Sequence, residues 1–274
     1  MSGRRWDLHF HTRWSDGRAS AVDALARARA LDIGFAVTDH NVIDGALRAW
    51  SLAGDEAPRR VVPGIEITTL ERVHLLIYFR RPEALLRFYE RSVGPWRPRG
   101  ATATTVLPRS AADLLQDLRR YDHVTSAAHP FALAKNGWLN ARAQYGHLAA
   151  MLSDLDALEV LNGEELDAAN ARAMDLSAAS PKLGATVGSD GHTLGELGNV
   201  TLELPVGADL FEVVRASAGA VRDERPPGAW RSAATHVAKV PYFAARPFRF
   251  AYRYALRVDE LQLETEVPRD PEPR

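Results

Sequence analysis

The stretch Arg5-Trp-Asp7-Leu-His9-Phe-His11-Thr-Arg13-Trp-Ser-Asp16-Gly17 decides how this chain is read. Residues 5–10 alternate polar and apolar with the period of a β-strand. His9 and His11, two positions apart, therefore share one face at the strand's C-terminal edge. Asp16 follows in the adjoining loop. Downstream the arrangement recurs. Asp39 and His40 end a second predicted strand (33–38), Glu66 ends a third (60–67), His74 opens a fourth (74–79), and His129 follows a fifth (123–127). Strands at 157–161 and 185–189 come next, the latter followed by Asp190 and His192, and an eighth lies at 199–204.

Between these strands lie segments of helical period at 21–31, 43–52, 83–92, 110–120, 144–152, 165–178 and 210–217. The first opens on Ser20 with Asp23 three residues on, the pattern of a capping box. Such alternation predicts βα units around a mostly parallel sheet or barrel. In a barrel the strand ends converge on one rim, where active sites of such folds lie. Residues 93–109, rich in Pro, Gly, Thr and Arg, read as a loop of functional length. A composition change after Arg222 divides the chain into a barrel over 1–222 and an extension over 223–274.

Composition narrows the chemistry. The 274 residues include nine histidines and no cysteine, with 34 basic against 35 acidic side chains. Without cysteine there is no disulfide framework, thiolate metal site or cysteine nucleophile, so any metal must sit on nitrogen and oxygen. At 46% hydrophobic residues the chain can bury a large core. A net charge of −1 argues against long nucleic acid as a partner. Neither a signal-peptide pattern nor an apolar stretch of membrane-spanning length is present, and the expected compartment is the cytoplasm.

The runs Asp7–Gly17, Thr38-Asp-His-Asn41, Gly64-Ile-Glu66, Val73–Phe79, Ala128-His-Pro130, Leu158-Glu-Val-Leu-Asn-Gly163 and Gly188-Ser-Asp-Gly-His192 resemble, in order, the motifs of the polymerase and histidinol phosphatase (PHP) family. The resemblance covers residues 5–222. It implies a distorted (β/α)7 TIM-like barrel with two or three divalent metals. By position, His9, His11, Glu66 and Asp190 would hold one metal, and Glu66 would bridge to a second held by His74 and His129. Asp16, His40 and His192 would hold a third. Several family members carry histidine where Asp16 stands, and Gly191 replaces a more usual alanine. Neither departure removes a ligand.

Imidazoles mixed with carboxylates suit Mn, Fe or Zn better than Mg, which prefers an all-oxygen shell. Clustered metals lower the pKa of bound water and clamp the oxygens of an in-line displacement. The expected activity is thus hydrolysis of a phosphate monoester of a small metabolite or nucleotide by a metal-bound hydroxide. Arg13, Asp190 and His192 are the expected catalytic residues, and Arg13, Lys135 and Asn162 the expected substrate contacts, with Arg142 a weaker candidate. Asp7, Asp39 and Ser189 are expected to orient ligands, or else to cap strand ends and loops. His123, His147 and His236 read as structural.

Three alternatives stand beside this reading. One is an exonuclease or oligonucleotide phosphodiesterase. Another is a non-catalytic metal-binding module acting through its tail. The third, C–N hydrolysis as in amidohydrolases, is disfavoured because such sites carry a lysine-derived bridge on a strand, and Lys135 and Lys182 read as loop residues. The tail supplies a basic aromatic segment at 242–257, predicted as a helix with Arg246, Arg249, Arg253 and Arg257 on one stripe. That segment could meet a membrane surface or a protein partner.

Overall fold

The computed structural model describes residues 3–103, 105–132, 137–141 and 146–225. The first compact unit runs from Met1 to Pro226. Lys135, Arg142, His236 and the basic segment at 242–257 lie outside the described residues.

Nine strands form one sheet in the order β7-β6-β5-β4-β3-β2-β1-β8-β9. They are β1 (Arg5–Phe10), β2 (Ile33–Val37), β3 (Val61–Thr68), β4 (His74–Phe79), β5 (His123–Ala127), β6 (Ala157–Asn162), β7 (Gly184–Gly188), β8 (Val200–Glu203) and β9 (Ala220–Asp223). The helices are α1 (Ala21–Ala30), α2 (Asp44–Ala53), α3 (Ala57–Arg60), α4 (Pro82–Ser92), α5 (Ala111–Leu118), α6 (Trp138–Ala141), α7 (His147–Met151), α8 (Asp167–Ala179) and α9 (Leu210–Arg215). The predicted capping box is formed: Ser20 Oγ accepts from the backbone N–H of Asp23 at 3.1 Å. Ser110 and Asp113 repeat the device at α5.

β1, β2 and β3 pair in parallel, as do β5, β6 and β7, whereas β4 runs antiparallel to both β3 and β5. The sheet nearly closes where the end of β7 approaches β1. Ser189 N–H donates to Asp7 Oδ1 at 2.9 Å, His11 N–H donates to Gly191 O at 2.9 Å, and Phe10 bridges Gly191. Gly188 makes this approach feasible, because a Cβ there would collide with the Cβ and backbone nitrogen of His9. The result is the expected barrel class, nearly closed and distorted by the reversed β4, with nine strands in its sheet where seven were expected. β8 pairs antiparallel with β1, and β9 antiparallel with β8. The sequence reading has no counterpart for β9, which carries the compact unit beyond Arg222.

Strands β2 to β4 and β6 are buried along their full length, as befits a sheet covered on its outer face by helices and filled on its inner one. Inside the ring Tyr78 Oη donates to Leu8 O at 2.8 Å, and the hydroxyls of Ser126 and Thr186 meet at 2.7 Å. Outside it, Phe10, Phe35, Phe79 and Phe88 belong to one contiguous core. Loop 93–110 returns to the barrel rim: Leu107 N–H donates to Thr68 O and Asn41 Nδ2 donates to Thr105 O.

Candidate metal centre

Reversal of β4 is what assembles the site. In an all-parallel barrel a residue that opens a strand lies at the end opposite to residues that close one. Because β4 is antiparallel, its first residue, His74, pairs with Thr68 at the end of β3 and so reaches the same rim as His9, His40, Glu66, His129 and Asp190. Trp138 buttresses this corner by donating its Nε1–H to His74 O at 2.7 Å.

Glu66 occupies the centre. Its Oε2 lies 3.5 Å from His9 Nε2, 3.4 Å from His11 Nε2 and 3.0 Å from His40 Nδ1. Its Oε1 lies 2.9 Å from His74 Nδ1 and 3.4 Å from His129 Nε2. Asp190 Oδ1 is 3.2 Å from His11 Nε2 and 3.5 Å from His9 Nε2. Asp16 faces the other side, with Oδ1 3.6 Å from His11 Nδ1 and Oδ2 3.4 Å from His192 Nε2 and 3.7 Å from His40 Nε2. All nine expected ligands are buried and meet in this one cluster.

The donor set fits a cation. His9 Nε2 and His11 Nε2 lie 3.2 Å apart, and His74 Nδ1 and His129 Nε2 3.3 Å apart. Two imidazole lone pairs at that distance repel unless a proton or metal lies between them. Both oxygens of Glu66 and the Nδ1 atoms of His11, His40 and His129 are buried without a well-aligned hydrogen bond, although Glu66 lies 3.0 Å from His40 Nδ1 and 2.9 Å from His74 Nδ1, an arrangement costly to leave uncompensated. Four groups bring three potential ligand atoms within 4.8 Å of one another: His9, His11 and Asp190; His11, Asp16 and His40; His40, Glu66 and His74; and Glu164, Asp190 and His192. The first holds three of the four residues expected around His9, without Glu66. Elsewhere the grouping differs: His40 rather than His129 joins Glu66 and His74, and His192 groups with Glu164.

Charge regulates the cluster. Burial opposes ionisation of Glu66 and Asp16. The imidazoles overcome it, those of His74, His40 and His9 around Glu66 and those of His192 and His40 around Asp16, and hold both carboxyls well below the usual carboxylate range. Burial likewise opposes protonation of His9 and His192. Asp190, Glu159 and Glu66 raise His9 nonetheless, and Glu164 and Asp16 raise His192. For His11 and His74 burial wins and lowers each to about 4.

The remaining expected residues separate. Asp7 and Asp39 are buried and pushed up to about 6 by desolvation. They tie down backbone rather than touch ligand rings: Asp7 accepts from Ser189 and Gly198 N–H, and Asp39 from Thr12 N–H, Thr12 Oγ1 and Ser15 Oγ. Ser189 Oγ donates to His9 O at 3.1 Å. Arg13 stands half-buried in the β1–α1 loop between His11 and Asp16. Asn162, expected as a substrate contact, is instead fully buried. Its Nδ2 donates to Glu159 Oε2 and Asp190 Oδ2, and its Oδ1 accepts from Glu164 N–H. His123 Nδ1 pairs with Tyr121 O and Lys182 is exposed in the turn before β7, both away from the cluster.

Two buried carboxylates stand behind the ligands: Glu159, which the sequence leaves as lining the rim or turning the chain, and Glu164, which it does not single out. Glu159 Oε1 lies 2.8 Å from His9 Nδ1, and Glu164 Oε1 lies 2.9 Å from His192 Nδ1. The signal was present in the run Leu158-Glu-Val-Leu-Asn-Gly-Glu164, where a buried strand carries charge on its inward face.

No family model matches the chain, and no curated protein matches it. Solved structures do match. A Bifidobacterium adolescentis protein assigned as a metal-dependent phosphoesterase is 22% identical, with 77% of this chain and 96% of that chain covered and a TM-score of 0.53. Endonuclease Q of Pyrococcus furiosus, a lesion-specific endonuclease, is 17% identical over 82% of this chain and 60% of that one, with a TM-score of 0.60. An amidohydrolase of Chromobacterium violaceum with bound sulfate and no metal is 20% identical over 80% of this chain and 98% of that one, with a TM-score of 0.52. The chain thus has the barrel fold of PHP-like metal-dependent phosphoesterases and endonuclease Q.

Proposed function

We propose that this chain is a metal-dependent hydrolase that cleaves phosphate monoesters of small metabolites or nucleotides. The observation that carries the reading is Glu66, a buried carboxylate with one oxygen turned to His9, His11 and His40 and the other to His74 and His129. A carboxylate so placed can bridge two cations, and His9, His11, Asp190, His74 and His129 would complete their shells. Asp16, His40 and His192 would hold a third.

Bound divalent ions would supply an acidified water and neutralise charge on the phosphoryl oxygens. The chain's own groups do the rest. Arg13, three residues before Asp16 in the β1–α1 loop, would pair its guanidinium with non-bridging phosphate oxygens. Buried walls of imidazole and carboxylate limit access of bulk water and strengthen each electrostatic contact. Lys135 would add a second cation from the segment after β5. Residues 1–222 would form the catalytic barrel, and the basic segment at 242–257 a contact to another surface.

A nuclease is the second reading, favoured by the shared fold with endonuclease Q, which is also known with a 27-mer duplex carrying an abasic lesion at its active site. Phosphate release from an aryl phosphate, a nucleotide panel and short oligonucleotides, by protein loaded in turn with Mn, Fe and Zn, separates the two. Monoester turnover at least tenfold above diester turnover supports the phosphatase, with Arg13→Ala lowering kcat/KM about tenfold at unchanged metal content. Diester cleavage alone supports the nuclease, and hydrolysis of neither rejects both.

A further inference from the structure

Strand β6 and the loop after it contribute none of the nine expected ligands, yet they place three buried polar side chains against them. We infer that Glu159, Asn162 and Glu164 are positioning residues for the metal cluster: Glu159 and Asn162 orient the ligands around Glu66, and Glu164 orients His192. The inference rests on reading that cluster as a metal centre.

Glu159 divides its oxygens. Oε1 accepts from His9 Nδ1 at 2.8 Å, which leaves His9 Nε2 facing Glu66 and Asp190. Oε2 accepts the backbone N–H of His129 at 2.7 Å and Nδ2–H of Asn162 at 2.9 Å. His129 has φ +29°, a conformation L-residues rarely adopt, and this hydrogen bond holds it there. A single carboxylate thereby fixes ligands on both sides of Glu66.

Asn162 extends the hold to Asp190. Its Nδ2 also donates to Asp190 Oδ2 at 3.2 Å, leaving Oδ1 toward His11, and Asp190 too has positive φ, +49°. Asn162 is itself clamped from α8, since Asn170 Oδ1 accepts its N–H at 2.9 Å and Asn170 Nδ2 donates to its carbonyl at 3.0 Å. Asn162 Oδ1 accepts the N–H of Glu164 at 2.9 Å. Glu164 repeats the Glu159 device in shared form: its Oε1 lies 2.9 Å from His192 Nδ1, which also faces Asp190 O at 2.8 Å, and His192 Nε2 faces Asp16. Carboxylates that hold the far nitrogen of a ligand histidine fix tautomer and ring orientation, and losing one typically costs about 10–100-fold in metal affinity.

Metal-stripped full-length protein, titrated calorimetrically with Mn2+, tests the inference through Glu159→Gln and Glu164→Gln. Glu159→Gln is expected to weaken the steps that involve His9 and His129 by about 10–100-fold, and Glu164→Gln a different, single step by a comparable factor. Histidine 15N spectra of Zn-loaded wild-type protein should show His9 and His192 carrying their proton on Nδ1, a readout that survives if a variant does not fold. Affinities within twofold of wild type in both variants, or an Nε2 proton on either ring, would overturn it. Loss of one whole ion in Glu164→Gln would make Glu164 a ligand and overturn its positioning role. A wild-type chain that takes up no ion overturns the functional reading and this inference together, whereas ion uptake with no phosphoesterase turnover overturns only the former.

Discussion

His74 Nδ1 lies 2.9 Å from Glu66 Oε1 although the two residues sit on strands of opposite direction. That contact depends on the reversal of β4. With β4 parallel, His74 would fall at the other end of the barrel and the Oε1 side of Glu66 would face His129 alone. The reversed strand is thus the fold's contribution to a two-sided centre.

Glu66→Gln should abolish that centre while sparing the barrel. An amide cannot present two anionic oxygens to two cations, and its NH2 would point at imidazole nitrogens. Metal content measured by elemental analysis should fall by at least one ion per chain, and phosphomonoester turnover by more than about 100-fold. An unchanged far-ultraviolet dichroism spectrum would separate this from unfolding.

Chelation should destabilise the protein. Ions that bind only the folded chain stabilise it by about 2.7 kcal/mol at one hundred times their Kd, which for a barrel of this size shifts Tm by roughly 5–10 °C. Differential scanning calorimetry before and after chelation, with re-addition of Mn2+, measures the shift. An identical Tm in all three states would mean that no ion is coupled to folding.

Metal affinity should rise with pH. In the ion-free protein the carboxylates raise His9, His40 and His192 against the opposing effect of burial, so these rings hold protons near neutrality. Binding must expel those protons, so apparent affinity grows as pH climbs and falls as it drops. Titration calorimetry in buffers of different ionisation enthalpy should register net proton release at pH 7. A proton count of zero, or affinity flat from about pH 6 to 8, contradicts this assignment.

Much of this was legible from residues 5–17 onward. The order of strands β1 to β8 and the capping box at Ser20 could be read because each rests on local alternation and spacing, and the nine residues that the fold gathers could be picked out by their resemblance to the motifs of the PHP family. The direction of β4 could not, because strand polarity is set by partners distant in sequence, here Thr68 and Ala127. Nor could the role of Asn162, which depends on Asn170 reaching back from α8 and on Asp190 arriving from β7. The contacts of Glu159 and Glu164 were hidden for the same reason: each is defined by a histidine at the end of another strand.

Barrel closure offers a separate test. Gly188→Ala would drive a Cβ into His9, and Gly34→Ala one into the ring of Trp6. Each should cost about 1–3 kcal/mol in urea denaturation, and Gly188→Ala should also lower metal affinity because it displaces a ligand. Gly195→Ala, with nothing within 4 Å of the added carbon, should stay within about 0.5 kcal/mol of wild type.

The most direct measurement is anomalous X-ray scattering from crystals of the Mn-loaded protein, which locates ions without assuming an activity. The account predicts peaks on both sides of the Glu66 carboxylate, one within coordination distance of His9, His11 and Asp190 and one beside His74. Crystals of protein held in excess Mn2+ with no peak within coordination distance of Glu66, or with peaks only at surface carboxylates, would contradict it.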